Sequence, residues 1–440
     1  MPTILIIVGI TGDLSKRKLL PALGALAAAG ILPQQLRIVG ITRQHTVTLD
    51  SLLEGVTNAE HLRANTELFS MSLTNIADYE RLTAHLLTID LALGGSPQRL
   101  WYLSVPPETA WPIIEQLGNS GLAKAPNTKL LLEKPFGADE KSARELTEHI
   151  AHSFPAKNVY RIDHYLAKET VQNIVSFRRD NPFFEHSWSR DAIERIDILA
   201  SETIGIEGRT TFYEQTGALR DLIQSHLLQL AALTLMMLPR GESWHDIPKA
   251  RLALLQTLHV DPDHMHCGQY EHYREEVSNP ISLVETFASL RFFSTDPRWI
   301  DVPITITTGK ALALKKTEIV VTYRRNGTGE TNQLTIKIQP DEGIELCFVV
   351  KRPGYDHVTE RVPLAFTYTD HFNMLPDAYE HIFLGALHGD QTLFVSNDEV
   401  LESWRIVDTA RNELALHADK LISYPRGATV EQVLGKGPVV

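Results

Sequence analysis

The stretch that decides the fold is TILIIVGITGDL, residues 3–14. Thr3 to Val8 form a run of apolar, mostly β-branched residues without alternation, the pattern of a strand buried on both faces. Gly9 and Gly12 interrupt it, and KRKLLPALGALAAAG (16–30) then carries helical apolar spacing and stops at Gly30. RIVGIT (37–42) reads as the next strand, so the chain opens with a β–α–β unit of a doubly wound parallel sheet. In the turn Gly9-Ile10-Thr11-Gly12-Asp13-Leu14 the second glycine falls one place later than in the usual G-x-G-x-x-G. The physical use is the same: glycines let the backbone approach a pyrophosphate, and the helix N-terminus presents N–H donors to it. A plain strand–helix turn has the same spacing. The second strand ends in Thr42-Arg43-Gln44 with no acid to hold a ribose 2′-hydroxyl. An arginine there suits a 2′-phosphate, so Arg43 points to NADP, with NAD as the weaker alternative; a solvated surface arginine is the bland reading.

Outward from this unit, RLWYLSV (99–105) and KLLLEK (129–134) read as later strands of the same sheet, and DEKSARELTEHIAHSF (139–154) as a helix. After about residue 165 the texture changes. RIDILAS, VETFASLRFF, PITITTG, TEIVVTYRR, QLTIKIQ and ELCFVVK alternate as half-buried strands do. GALRDLIQSHLLQLAALTLMM (217–237) and NDEVLESWRIVDTARNELALH (397–417) read as long helices. The expectation is an α/β Rossmann-type dinucleotide-binding domain over 1–165, followed by an α+β domain over 166–440 with a large, mostly antiparallel sheet.

Bulk composition agrees. A chain of 440 residues exceeds one comfortable core. Fifty-four acidic against forty-two basic residues leave a net charge of −12, which argues against nucleic acid or an anionic membrane as partner. A small phosphorylated ligand needs only a local basic pocket. Cys267 and Cys347 are far apart and lack metal-site spacing, so neither a disulfide scaffold nor a structural zinc is expected and a reducing cytoplasm fits. The first residues have no basic leader and no small-residue cleavage site, and no apolar stretch is long enough to span a bilayer.

Four further segments carry chemistry: Glu133-Lys134-Pro135-Phe136-Gly137; Arg161-Ile162-Asp163-His164-Tyr165-Leu166-Ala167-Lys168-Glu169; Glu202 in SETIGIEGR; and Asp221 with His226 in RDLIQSHLLQ. The second packs an acid, an imidazole, a phenol and an ammonium into six residues. By itself it reads equally as a solvated turn. On an α-helix, residues five apart are separated by about 140°, so Asp221 and His226 are not stacked neighbours there. A lone histidine on an apolar helix is more often a hydrogen-bonded core residue than a catalyst, and spacing leaves the choice open.

In order and approximate spacing, GITGDLSKRKLLPAL, YLSVPP, EKPFG, RIDHYLAKE and DLIQSHLLQ resemble the glucose-6-phosphate dehydrogenase family, as do VETFASLRF, PITITTGKAL, QPDEGI and GDQTLF. The resemblance runs from residue 4 to about residue 410. It implies oxidation of glucose 6-phosphate at C1 to 6-phosphoglucono-δ-lactone, the first step of the oxidative pentose phosphate pathway, with hydride passing to NADP and no metal needed. It makes His226 the general base, Asp163 the carboxylate that orients it, and Lys134 a residue touching both cofactor and sugar. His164, Tyr165 and Lys168 correspond to the phosphate grip, Glu202 and Asp221 to acceptors of sugar hydroxyls, and Lys310 and Lys315 to basic residues closing the pocket. Gly9, Thr11, Gly12, Asp13, Leu14, Arg43 and Gln44 fall on the cofactor side. A homodimer or homotetramer is implied as well.

Two departures stand out. Ala167 replaces a glycine usual in the family: it costs something if that position needs a positive φ and raises the pocket floor slightly if the glycine only clears space, and either shifts affinity or sugar preference. Some relatives hold a second, structural NADP through basic residues; here Thr307 and Val320 take two of those places while Lys316 and Lys337 keep others basic, and no structural NADP is expected. Two alternatives remain on sequence: a related Rossmann sugar oxidoreductase of the glucose–fructose oxidoreductase type, and a catalytically silent regulatory relative.

Overall fold

A computed structural model describes residues 1–44, 46–239, 241, 244–325, 330–372, 374–415 and 421–435. It divides into two compact units, one of Met1–Ala167 with Pro376–Leu401 and one of Lys168–Leu375 with Glu402–Val440. The sequence reading placed everything beyond 165 in the second domain; instead, Pro376–Leu401 returns to the first. The cause is apolar. Tyr379, Ile382, Phe383, Ala386 and Phe394 join Leu5, Ile7, Tyr102, Tyr160 and Ile162 in one buried cluster.

The first unit holds β1 (Thr3–Val8), β2 (Leu36–Thr42), β3 (Thr66–Ser70), β4 (Gln98–Leu103), β5 (Thr128–Glu133) and β6 (Val159–Ile162). Their order, β6-β5-β4-β1-β2-β3, is all parallel and is extended by an antiparallel edge strand, Phe394–Val395, beside β6. β1 is buried at every position, as its unalternating sequence requires. The sheet reverses direction of growth between β1 and β4, where open α/β sheets leave a crevice at the carboxyl ends of the strands. The helix after the glycine turn begins with a π-helical turn, Ser15–Leu19, before the α-helix Leu20–Ala28.

The second unit is built on β7 (Ile193–Ser201), β8 (Leu258–Tyr270), β9 (Phe287–Ser294), β10 (Ile304–Gly309), β11 (Lys316–Tyr323), β12 (Gln333–Gln339), β13 (Gly343–Lys351) and β14 (Thr359–Thr367). The order is β14-β13-β12-β11-β7-β10-β9-β8, closed by the short strand Ile422–Tyr424. Pairing is antiparallel except between β7 and β10 and between β8 and Ile422–Tyr424. Among β7 to β14, the two that the sequence does not announce are β8 and β14, for physical reasons. β8 is interrupted by Asp261, Pro262, Asp263 and three histidines and loses register between Val260 and Met265. β14 contains Pro363 and is exposed over most of its length, which an edge strand tolerates.

The segment 217–237 is not the single α-helix expected. The helix Thr210–Ala218 kinks at Gly217 (φ 64°, ψ 179°), Leu219–Leu227 is π-helical, and Leu228–Leu235 is α-helical. The helix expected at 397–417 spans Asn397–Ala415, with 416 and 417 outside the described residues. Ala167 is fully buried in the first unit's core and is not among the described residues with positive φ, so alanine meets no backbone penalty there. No helix among the described residues is long and apolar enough to cross a membrane.

Candidate functional site

In the first unit a cavity of about 490 Å³ lies at the carboxyl ends of β1, β2 and β4, lined by Gly9, Thr11, Gly12, Arg43, Gln44 and Ser104 among others. The main chain shapes it. Gly9 has φ 86°, and a Cβ there would fall 2.4 Å from the Ser104 carbonyl oxygen, so any side chain would close the turn against β4. Gly12 N–H donates to the Gly9 carbonyl at 2.9 Å, and Lys16 N–H to Gly12 at 3.1 Å. The Ser15 hydroxyl donates to the Gly9 carbonyl and to Ser104 Oγ, each at 3.1 Å, tying the helix start to both strands. Gln44 is turned back by its N–H, which donates to Thr42 Oγ1 at 3.0 Å.

Of the expected cofactor residues, Gly9, Thr11, Gly12, Arg43 and Gln44 line this cavity, whereas Asp13, Leu14 and Lys134 are not among its lining residues. Asp13 is exposed and pairs with Arg17 at 2.8 Å; Leu14 precedes the π-helical turn and packs on the core. Ser104, Val105, Pro106 and Thr109 also line the cavity, the first three within the YLSVPP segment, whose sequence alone assigns them no role. Glycine turn, helix start and Arg43 without an acidic neighbour on the strand end together fit the pyrophosphate and ribose of a dinucleotide.

β5, paired with β4, ends in Glu133, followed by Lys134. Tyr102 donates its hydroxyl to Glu133 Oε1 at 2.5 Å. Burial pushes the Glu133 carboxyl up to about 7, against the opposing pull of the Tyr102 and Tyr379 hydroxyls and of Lys134. The Tyr379 ring lies nearly parallel to the His164 imidazole, 12° apart with centroids at 6.5 Å. Asp163 is buried just after β6, where Oδ1 accepts the Tyr165 N–H at 3.0 Å and its carbonyl accepts the Leu166 N–H at 3.0 Å. That tight turn sets the direction of His164 and Tyr165.

The second unit carries the other candidates. β7 and β10 run parallel with Ser201 opposite Gly309, so Glu202 and Lys310 leave the sheet side by side. Lys310 is 3% exposed and its ammonium bonds the Glu202 carboxylate, with Asp221 at 4.0 Å and the Tyr213 ring centroid at 5.2 Å. Main-chain bonds lock the pair: Glu202 N–H to the Gly309 carbonyl at 2.9 Å, and Leu312 N–H to the Glu202 carbonyl at 2.9 Å. Burial first, and then Asp221 and Glu285, push the Tyr213 phenol well up, so it stays a neutral donor.

Asp221 and His226 lie on the π-helical turn, whose last bonds include Leu228 N–H to the Ile223 carbonyl, five residues back. With i→i+5 bonding, residues five apart come round to nearly one face, so the 140° separation expected of an α-helix does not apply. His226 is buried at 1% exposure. Lys168 begins the helix Glu169–Asp180, and its ammonium bonds the Gln339 side chain. Glu342 is also within electrostatic reach of Lys168 and accepts a long bond from Thr170. Gln339 and Glu342 were not singled out on sequence, although both belong to the QPDEGI segment. Lys315 is exposed, in contrast to Lys310.

Comparison with known proteins assigns both units. The family model for the glucose-6-phosphate dehydrogenase NAD-binding domain matches residues 6–173, and that for the C-terminal domain of the same enzymes matches residues 175–433. A glucose-6-phosphate 1-dehydrogenase of Chlamydia muridarum is 36% identical, over 92% of this chain and 89% of its own. One from Dickeya dadantii is 34% identical, over 96% of this chain and 93% of its own. The solved structure of a glucose-6-phosphate dehydrogenase in complex with glucose 6-phosphate superposes with a TM-score of 0.92 at 29% identity, covering 100% of this chain and 98% of that one. A glycine-turned nucleotide cleft in one unit, a carboxylate–lysine cluster in the other, and matches to both halves agree: the chain belongs to the glucose-6-phosphate dehydrogenase family.

Proposed function

We propose that the chain oxidises glucose 6-phosphate at C1 to 6-phosphoglucono-δ-lactone, with NADP as acceptor, at the entry to the oxidative pentose phosphate pathway. The single observation that carries the sugar side is the buried Lys310 held between Glu202 and Asp221 beside the π-helical turn bearing His226. Ionised carboxylates accept bonds from sugar hydroxyls, and a neutral imidazole suits proton abstraction. In this reading His226 takes the C1 hydroxyl proton as the C1–O double bond forms, and Asp163 fixes its tautomer and steadies the imidazolium. His164, Tyr165 and Lys168 hold the phosphate, with Gln339 restraining Lys168, and Lys134 meets both sugar and cofactor. Lys310 supports Glu202 and Asp221, and Lys315 approaches from the surface. When bound, the nicotinamide accepts the hydride, a step that needs no metal.

Arg43 beside Gln44 and Thr42, with no acid at the strand end, supports NADP over NAD. One dinucleotide per chain is part of the reading. Among the positions that could serve a second, Thr307 bonds Ser289 at 2.8 Å, Lys316 pairs with Glu318 at 2.5 Å and Lys337 with Glu345 at 2.8 Å. The chain works in the cytoplasm as a homodimer or homotetramer; Phe348, Val350, Val362 and Leu364 remain exposed on β13 and β14, an open apolar edge of the kind self-association covers. The test is to mix the protein with glucose 6-phosphate and NADP and follow the reduced-nicotinamide absorbance. Reduction only with another sugar would move the assignment to a related oxidoreductase, and none with any sugar or either cofactor to a silent relative.

A further inference from the structure

Glu285 stands between two walls of the second unit. Its Oε1 accepts the Leu219 N–H at 2.9 Å and its carbonyl accepts the Ala218 N–H at 2.9 Å. Those are the donors at the start of the π-helical turn that carries Asp221 and His226. A carboxylate at a helix start satisfies otherwise orphaned N–H groups and favours the positive end of the helix dipole. The next residue, Thr286, accepts the Lys310 N–H at 2.9 Å on its carbonyl. The Thr286 hydroxyl shares a bond with Tyr424 Oη at 2.8 Å, and Tyr424 donates to the Lys310 carbonyl at 2.8 Å. One dipeptide thus ties the helix bearing Asp221 to the strand end bearing Lys310. Gly217 fits the same purpose: a Cβ there would fall 2.4 Å from Glu285 Oε1, so this kink leaves room for the carboxylate.

We infer that Glu285 is a positioning residue for the sugar site, setting the start of the π-helical turn so that Asp221 and His226 keep their place relative to Lys310. The inference rests on the proposed roles of Asp221 and His226. It makes the VETF segment part of the site without contact to substrate, through hydrogen bonds alone.

The experiment compares Glu285→Leu, which removes the acceptor, with Glu285→Gln, which keeps it, using Asp221→Asn as reference. Steady-state kinetics with glucose 6-phosphate and NADP are read beside thermal melting. Glu285→Leu is expected to lower kcat by about 10–100-fold, the scale of a small misplacement of reacting groups, and to raise KM for the sugar but not for NADP. Glu285→Gln should restore most of both. If the leucine variant does not fold, Glu285→Asp carries the test, since its carboxylate is one methylene short of Leu219 and should lose kcat while folded. A variant that melts earlier but keeps kcat and both KM values would reduce Glu285 to scaffold and overturn the inference. Should Asp221→Asn raise the sugar KM while no Glu285 variant shifts kcat or KM, this inference alone falls. If neither residue matters, the reading of the sugar site falls and takes the inference with it.

Discussion

The glycine-turned cleft of the first unit and the carboxylate–lysine cluster of the second are built from different materials. The first is made of main chain: a glycine at φ 86°, carbonyl and N–H groups in the turn 9–16, and one serine stitching two strands to a helix. The second is made of side chains, with a buried ammonium between two carboxylates under a tyrosine ring. Both open onto a π-helical turn at the start of a helix, Ser15–Leu19 in one and Leu219–Leu227 in the other. Main-chain sites tolerate many side chains but few backbone changes. Side-chain sites depend on every partner keeping its charge.

The sharpest way to break this comparison is at His226. His226→Asn should cut kcat by about 10²–10⁴-fold with the sugar KM largely kept, the usual contribution of a general base. A loss of only a few-fold would place the base elsewhere and leave the second unit a binding site alone. Next in size is Arg43, whose charge the proposed 2′-phosphate contact uses. Arg43→Asp should raise KM for NADP about 10–100-fold and leave that for NAD nearly unchanged, the scale of one or two hydrogen bonds to a charged group. Equal loss with both cofactors would show the arginine serving the fold rather than the 2′-phosphate.

A smaller effect should appear in stability. Lys310→Met leaves Glu202 and Asp221 without their shared cation, and breaking such a pair costs about 3 kcal/mol, somewhat less here because Glu202 is partly solvated. Denaturant unfolding of the purified variant measures it, and an unchanged midpoint would mean that solvent screens the cluster. The smallest effect concerns Glu133. Burial holds its folded pKa at about 7, above the ordinary carboxylate value of 4.5, so between those values the folded chain binds more protons than the unfolded one. This carboxyl therefore lowers stability progressively as pH rises from about 4.5 to 7, with no further loss above. Glu133→Gln, which keeps an acceptor for Tyr102, should flatten that part of the curve of Tm against pH; parallel curves for the two proteins would count against the raised pKa.

The same contrast explains what was legible in the sequence. β1, the glycine turn and β2 are local, and their apolar runs and glycines declare both the parallel sheet and the cleft. Arg43, which lines that cavity, could be singled out because it sits at one strand end. Glu202, Asp221 and Lys310 come from distant segments, and nothing in their spacing announced that parallel pairing of β7 and β10 would set two of them side by side. They were named through family resemblance. Asp13 sits in a surface ion pair and Leu14 packs on the core, so any part either plays toward a cofactor falls to its main chain in the glycine turn. The π-helical turn at 219–227 could not be read, since its apolar pattern also suits an α-helix and only the i→i+5 bonds bring Asp221 and His226 round together. Ala167 looked like a liability from the family pattern alone and is an ordinary core residue in the folded chain.

The return of Pro376–Leu401 to the first unit has a temporal consequence. A ribosome that has made the first 167 residues has produced the six parallel strands but not the helix Ala378–His388, whose Ala386 carbonyl receives Lys129, nor Phe394, which packs edge-on against Tyr160 at 4.8 Å. Until those residues emerge, Tyr102, Tyr160 and Ile162 lack part of their cover. At about 5–20 residues per second, the nascent nucleotide unit waits of the order of ten seconds or more for its last pieces, an interval in which exposed apolar surface invites chaperones or misassembly.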